Sequence, residues 1–274
     1  MKIDLAINTD LATEILTKFI HSETTRAGFN KVVVGLSGGI DSALSCVLAV
    51  KALGPENVLA VRMPYRTSSP RSFNDAQLII DQFGIQDLTV PISDMADGLI
   101  SKFPDMSKTR QGNIMARCRM IVLYDQSNAF NGLVIGTSNK TEILLGYSTL
   151  FGDSASAFNP IGDLYKTQVR QLSKALDIPD PIIQKAPSAD LWANQTDEGE
   201  LGFTYAEVDK LLYLLIDERY TAQECVEAGF AKDFVDKVVK RVQRYHFKRV
   251  LPPIAKLGSR TIGYDFLYLR DWGT

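Results

Sequence analysis

Apolar positions in this chain switch repeatedly between a strand-like and a helix-like spacing, and the switches lay out its elements. Val32, Val33 and Val34 run on to Leu36 with only Gly35 between, which predicts a short buried strand. Small residues interrupt the run at Ser37, Gly38 and Gly39, and Leu44, Cys46, Val47 and Leu48 then predict a helix. Upstream, Leu5, Ile7, Leu11, Ile15, Leu16, Phe19 and Ile20 recur at near-helical spacing, an amphipathic first helix that ends near Gly28. Gly54 and Pro55 break the chain before a second strand over 58–63. Strand, helix, strand in that order predicts a right-handed parallel crossover.

The same reading predicts helices over 75–83, 94–100 and 110–130 and strands over 88–92 and 133–136. Residues 146–166 are rich in small side chains and lack a period, as expected of a loop that closes over something. Helices over 167–176, 205–216, 222–228 and 234–247 complete the pattern, the first stopped by Pro179 and Pro181. No repeat or low-complexity linker interrupts it, so one domain spanning 1–274 is expected. The fold class is α/β: a doubly wound, Rossmann-like parallel sheet with helices on both faces. Its first strand should lie between the second and the fourth, with the small-residue turn at that switch point.

That turn reads SGGIDS over 37–42. Two adjacent glycines let backbone N–H groups converge, and the helix start adds unpaired donors and its positive dipole end, so phosphate oxygens are the natural guest. It is neither GxxxxGK nor GxGxxG, and on these six residues alone a tight turn with a Ser or Asp cap stays open. Arg62, Tyr65, Arg66 and Arg71 stand in or beside a proline-bracketed loop at the carboxyl end of the second strand, where they either face a nucleotide or are solvated. Arg110, Asn113, Arg117 and Arg119 put more cations at a helix start than its dipole favours, which points to a bound anion or a carboxylate partner.

Charge and cysteine usage narrow the function classes. A net charge of −2 provides no general field for nucleic acid, and about 18 consecutive apolar residues, the least a membrane helix needs, occur nowhere. With no signal-like start, a cytoplasmic protein is expected. Cys46, Cys118 and Cys225 are scattered in helical patterns and read as reduced core residues, and His21 and His246 alone supply neither a histidine metal centre nor a Ser-His-Asp triad.

SGGIDS resembles the pyrophosphate loop of ATP pyrophosphatases. With GTSNKTE at 136–142, GDLYKTQV at 162–169, KAPSADLW at 185–192 and QTDEGELG at 195–202, the chain from Val32 to Arg249 resembles the ammonia-dependent NAD synthetases. The resemblance implies the adenine nucleotide alpha hydrolase type of fold. It also implies a reaction in which ATP adenylates the nicotinate carboxylate of deamido-NAD, pyrophosphate leaves, and ammonia displaces AMP to give NAD. By position, Gly35, Leu36, Ser37, Gly38, Gly39, Ile40, Asp41, Ser42, Thr137, Lys166 and Ser188 match ATP-contacting residues, Asp41 and Lys166 being the catalytic pair. Asp41 and Glu142 match magnesium carboxylates, so Mg²⁺ is the implied cofactor and ATP the co-substrate. A helix cap for Asp41 and a surface acid for Glu142 are the plainer readings.

Arg117, Asp153, Lys248 and Arg249 match substrate-binding positions. Leu150 and Ala157 depart from the pattern, standing where some family members carry a lysine and an aspartate that meet the substrate. Nicotinate mononucleotide is therefore the alternative acid, and a non-catalytic nucleotide-binding subunit the alternative class. The resemblance further implies a homodimer. Only about 30 residues precede the first strand and no cysteine has the setting of a nucleophile, so ammonia rather than glutamine is the expected nitrogen source.

Overall fold

A computed structural model describes residues 3–188, 190–192, 195–262 and 265. In chain order the elements are α1 (Thr9–Arg26), β1 (Val32–Gly35), α2 (Ile40–Leu53), β2 (Val58–Arg62), α3 (Pro70–Phe83), β3 (Gln86–Thr89), α4 (Ser93–Ile100) and α5 (Lys108–Phe130). Then come β4 (Leu133–Val134), α6 (Lys140–Leu145), α7 (Lys166–Ala175), α8 (Asp180–Ile183), α9 (Asp197–Leu201), α10 (Tyr205–Leu212), α11 (Ala222–Glu227) and α12 (Lys232–Arg244). The four strands form one parallel sheet in the order β3-β2-β1-β4. β1 thus lies between β2 and β4, as its continuous valine run requires, because a strand covered on both faces has no polar side.

The period of two along β1 and β2 divides the core between the faces. Val32, Val34, Val58 and Ala60 pack with α1, α2, α3 and α7, whereas Val33, Leu59 and Val61 pack with α4 and α5. A third apolar cluster joins Leu145 and Tyr165 to α10, α11 and α12 through Val208, Leu211, Cys225, Val235 and Val238. Cys46, Cys118 and Cys225 are free and buried, as core residues should be. Among the described residues no helix is long and apolar enough to cross a membrane.

α8 and α9 form where the pattern names no helix and β4 is shorter than expected, and three further elements are shifted for identifiable reasons. The third strand occupies Gln86–Thr89 rather than 88–92, although Val90 and Ile92 still donate to the carbonyls of Arg62 and Pro64 at 2.9 and 3.0 Å. As an edge strand it needs no alternating apolar face, and its Asp87 is instead held by Arg62. α3 begins at Pro70, five residues early: Ser69 caps it by accepting the Arg71 N–H at 3.2 Å, and proline is tolerated in a first turn. The helix predicted over 205–216 ends as an α-helix at Leu212 and widens into one π turn over Tyr213–Asp217.

Candidate active site

Every connection out of β1, β2 and β4 delivers polar residues to the carboxyl edge of the sheet, around a cavity of about 1160 Å³. That exceeds the roughly 300–1,000 Å³ of a typical small-molecule site, so there is room for more than one substrate. β1 continues one bond past its end, Leu36 N–H to Val61 O at 3.0 Å, and the chain then turns into α2. Gly38 takes φ +74°, and a Cβ there would stand 2.0 Å from the Ser72 carbonyl oxygen. Two hydroxyls tie the turn: Ser42 Oγ donates to Gly39 O at 2.9 Å and accepts the Ser37 N–H at 3.2 Å, while Ser37 Oγ accepts the Gly39 N–H at 3.3 Å. Among the described residues no side chain caps α2, so its first N–H groups stay available to an anion.

Asp41 is not the cap of α2, since that place belongs to Gly39. Its carboxylate reaches across β1 to β4's connection, accepting Asn139 Nδ2 at 2.9 Å and Lys166 Nζ at 2.5 Å. Lys166 Nζ also donates to Glu142 Oε1 at 3.1 Å. Glu142 is held in turn by a reciprocal capping box, its N–H donating to Asn139 Oδ1 at 2.9 Å and its Oε2 accepting the Asn139 N–H at 3.3 Å. The cap reading for an acid thus applies to Glu142, which uses one carboxylate oxygen for the helix and the other for Lys166.

A third acid stands close by. Asp197, buried, accepts the hydroxyls of Tyr147 and Tyr205, each at 3.1 Å. Burial pushes the Glu142 carboxyl above the usual carboxylate range; Lys166 opposes the shift and Asp41 and Asp197 add to it. Burial alone would lower the Lys166 ammonium, but Asp41, Glu142 and Asp197 outweigh it and hold the amine protonated. Three carboxyl groups around one ammonium gather acidic oxygens at the mouth of the phosphate turn.

A sequence profile of the family described as NAD synthase matches residues 12–252. The chain belongs to the NAD synthase family. The NH(3)-dependent NAD(+) synthetase of Trichlorobacter lovleyi is 58% identical over 269 residues, 98% of each chain. Solved structures are similar as well. An NMN synthetase from Francisella tularensis is 33% identical with a TM-score of 0.81, covering 92% of this chain and 100% of that one. An NH3-dependent NAD synthetase from Campylobacter jejuni is 34% identical with a TM-score of 0.79 and the same coverage.

In this NAD synthase family member the residues singled out in the sequence do not all meet. Gly35, Leu36, Ser37, Gly39, Ile40, Asp41, Ser42, Thr137, Glu142, Lys166 and Ser188 line the cavity wall together with Asp153 and Lys248, whereas Gly38 is not part of the lining and packs against the Ser72 backbone. Lys248 Nζ binds the carbonyls of Gly146 and Ser148 at 2.8 and 2.5 Å. Arg117 is exposed outside that wall and donates to Leu150 O at 3.1 Å. Arg249 also lies off it, bonded to the carbonyls of Leu144 and Val242 at 2.8 and 3.0 Å. Arg62, Tyr65 and Arg66 are engaged by protein partners, Asp87 and Gln77 for the first and Asp97 for the other two, and Arg71 stands exposed at the rim.

Among the lining residues given no role from the sequence, Arg119, Lys185 and Asp197 make the contacts that shape the site. Arg119, singled out only as one of an excess of cations, faces the cavity and donates from Nε to Met63 O at 3.1 Å. Lys185 donates to Gly38 O, Ser72 Oγ and Asp75 Oδ2 at 3.2, 3.0 and 2.8 Å, fastening the phosphate turn to α3. Asp197 is the third. Lys185 and Asp197 lie inside recognised motifs, KAPSADLW and QTDEGELG, which is the available signal; what each grips is set by chain segments more than a hundred residues away for Lys185 and about fifty for the Tyr147 bond of Asp197.

Proposed function

We propose that this chain amidates deamido-NAD with ammonia at the expense of ATP. The observation that carries the reading is the junction of Asp41, Lys166 and Glu142 beside an uncapped helix start. A carboxylate is a poor electrophile until one oxygen becomes part of a good leaving group. In the first step a nicotinate oxygen attacks the α-phosphorus of ATP, the bond to the β-phosphate oxygen breaks, and pyrophosphate departs. The first N–H groups of α2 and the Ser37 and Ser42 hydroxyls suit the departing oxygens, and Lys166 supplies a fixed positive charge. In the second step ammonia attacks the acyl carbon, AMP leaves, and a proton is released.

The donor set fits Mg²⁺, which prefers oxygen and uses one or two carboxylates plus phosphates and waters. Asp41 and Glu142 would hold it, and the oxygen atoms they bring together beside Lys166 are the ligand type it takes. Among the described residues no three His, Cys, Asp or Glu side chains form a metal site by themselves, consistent with an ion held largely by the nucleotide. When bound, Mg²⁺ neutralises charge on the transferring and leaving phosphates.

Thr137 and Ser188 are assigned to ATP, and Asp153, Lys248, Arg117 and Arg249 to the acid substrate. Arg117 and Arg249 do so at the periphery, given where their guanidinium groups lie. Ammonia as the direct nitrogen source is supported by full-length similarity to relatives named NH(3)-dependent and by the cysteines. Burial raises all three thiols, Cys46 to about 12, the opposite of an activated nucleophile.

Leu150, Ala157 and the similarity to an NMN synthetase favour a second reading, amidation of nicotinate mononucleotide. Rates of pyrophosphate release decide between them. With ATP, Mg²⁺ and ammonium fixed, kcat/KM for deamido-NAD is expected to exceed that for nicotinate mononucleotide, and glutamine in place of ammonium should support little turnover. A preference for the mononucleotide would select the second reading; no turnover with either acid would select a nucleotide-binding protein.

A homodimer in the cytoplasm completes the proposal. Leu11, Ile15 and Phe19 of α1 and Ile121 and Tyr124 of α5 are exposed apolar side chains of the kind an interface covers. Light scattering at micromolar concentration should give twice the chain mass of 30.4 kDa, and a monomer would refute the dimer.

A further inference from the structure

Asp209 belongs to none of the motifs above, yet it is completely buried in α10 and touches the two helices that carry Glu142 and Lys166. Its Oδ1 accepts the Thr141 hydroxyl at 2.6 Å, one residue before Glu142 in α6. Its Oδ2 accepts the Thr167 N–H at 2.8 Å, one residue after Lys166 in α7. Thr141 Oγ1 accepts the Lys166 N–H at 3.0 Å and closes the ring. Three buried groups therefore fix the backbone of Lys166 against that of Glu142, whose side chains meet at 3.1 Å.

Stability alone is a weak explanation for this arrangement. A fully buried carboxylate is costly even when hydrogen-bonded, and well-packed apolar side chains commonly serve a core as well or better. Among the described residues no ammonium or guanidinium lies within ion-pair reach of Asp209; both oxygens go to a hydroxyl and a backbone N–H of the two site-bearing helices. The plain alternative is that Asp209 serves only to complete the N-terminus of α7.

We propose that Asp209 is a positioning residue for adenylation, acting through Thr141 to set the distance between Glu142 and Lys166. The inference rests on the reading of those two side chains as the groups that meet ATP. Misplacing such groups by about 1 Å costs on the order of 10²-fold in rate.

The test uses pyrophosphate-release kinetics and thermal unfolding of Asp209→Asn, Thr141→Val, Thr141→Ser, Glu142→Gln and the pair D209N/E142Q. D209N and T141V should lower kcat on the order of 10²-fold while KM for ATP changes by less than about threefold, and T141S, which keeps the hydroxyl, should stay near wild type. In the E142Q background D209N should add little further loss of kcat, although the two losses in melting temperature add. Folded D209N or T141V with wild-type kcat, fully multiplicative kcat losses in the pair, or failure of both D209N and T141V to fold would each overturn the proposal. E142Q with wild-type kcat would instead overturn the reading of Glu142 itself, and this inference with it.

Discussion

Asp41→Asn and Glu142→Gln are each expected to lower the rate of pyrophosphate release by about 10²- to 10³-fold while leaving the fold intact. Both changes are nearly isosteric. The amide oxygen left by Asp41→Asn can still accept from Asn139 Nδ2, and the side chain left by Glu142→Gln can still close the capping box with Asn139, since glutamine serves that role as glutamate does. What each removes is one negative charge from the pair that faces Lys166 and, by the proposal, Mg²⁺. The melting temperature should therefore move little, and the loss should appear in adenylation rather than in attack by ammonia. Isotope exchange between pyrophosphate and ATP isolates that first step. Wild-type exchange in both variants would show that Asp41 and Glu142 only anchor Lys166 and the local structure.

Gly38→Ala is expected to cost more in folding than any other single methyl added to the phosphate turn. The left-handed backbone at φ +74° costs an alanine roughly 1 kcal/mol, and the new Cβ would lie 2.0 Å from the Ser72 carbonyl oxygen, so α3 and the turn have to separate. Separation breaks the Lys185 clasp on Gly38 O and Ser72 Oγ and moves the N–H groups that receive phosphate. A destabilisation of about 3–5 kcal/mol and a loss of ATP affinity on the order of 10²-fold are expected. Gly28→Ala is the control: its φ is +82°, but nothing lies within 4 Å of the added Cβ, so only the backbone strain should register. Equal melting temperatures for the two variants would mean that the turn does not press on α3.

The element order, the parallel crossover and the phosphate turn are legible in the sequence because each rests on local physics. Val32 to Val34 are buried on both faces and read as a continuous apolar strand, and Gly38 carries the positive φ that its position in the turn requires. The pattern places β3 too late because an edge strand satisfies its polar residues through a neighbour, Arg62 with Asp87, and leaves no period to read. It misses the start of α3 because Pro70 counts as a breaker in a sequence and as a first-turn residue once Ser69 caps it.

By itself the sequence determined the central strand, the glycine turn into α2 and the residue types gathered behind it, since backbone preference and hydrophobic period act over a few residues. Five ordered motifs also named Asp41, Glu142 and Lys166, but by resemblance, with no account of how they meet. Only the tertiary structure decided that one buried ammonium joins two acids from different helices, α2 and α6, that Asp197 makes a third, and that Lys185 clasps the turn. It also set Arg117 and Arg249 outside the cavity wall and brought Asp209 between α6 and α7. These contacts link residues up to 147 positions apart, and their energy exists only after the chain has closed the loops between them; no local propensity can encode a hydrogen bond whose partner is chosen by the packing of the whole sheet.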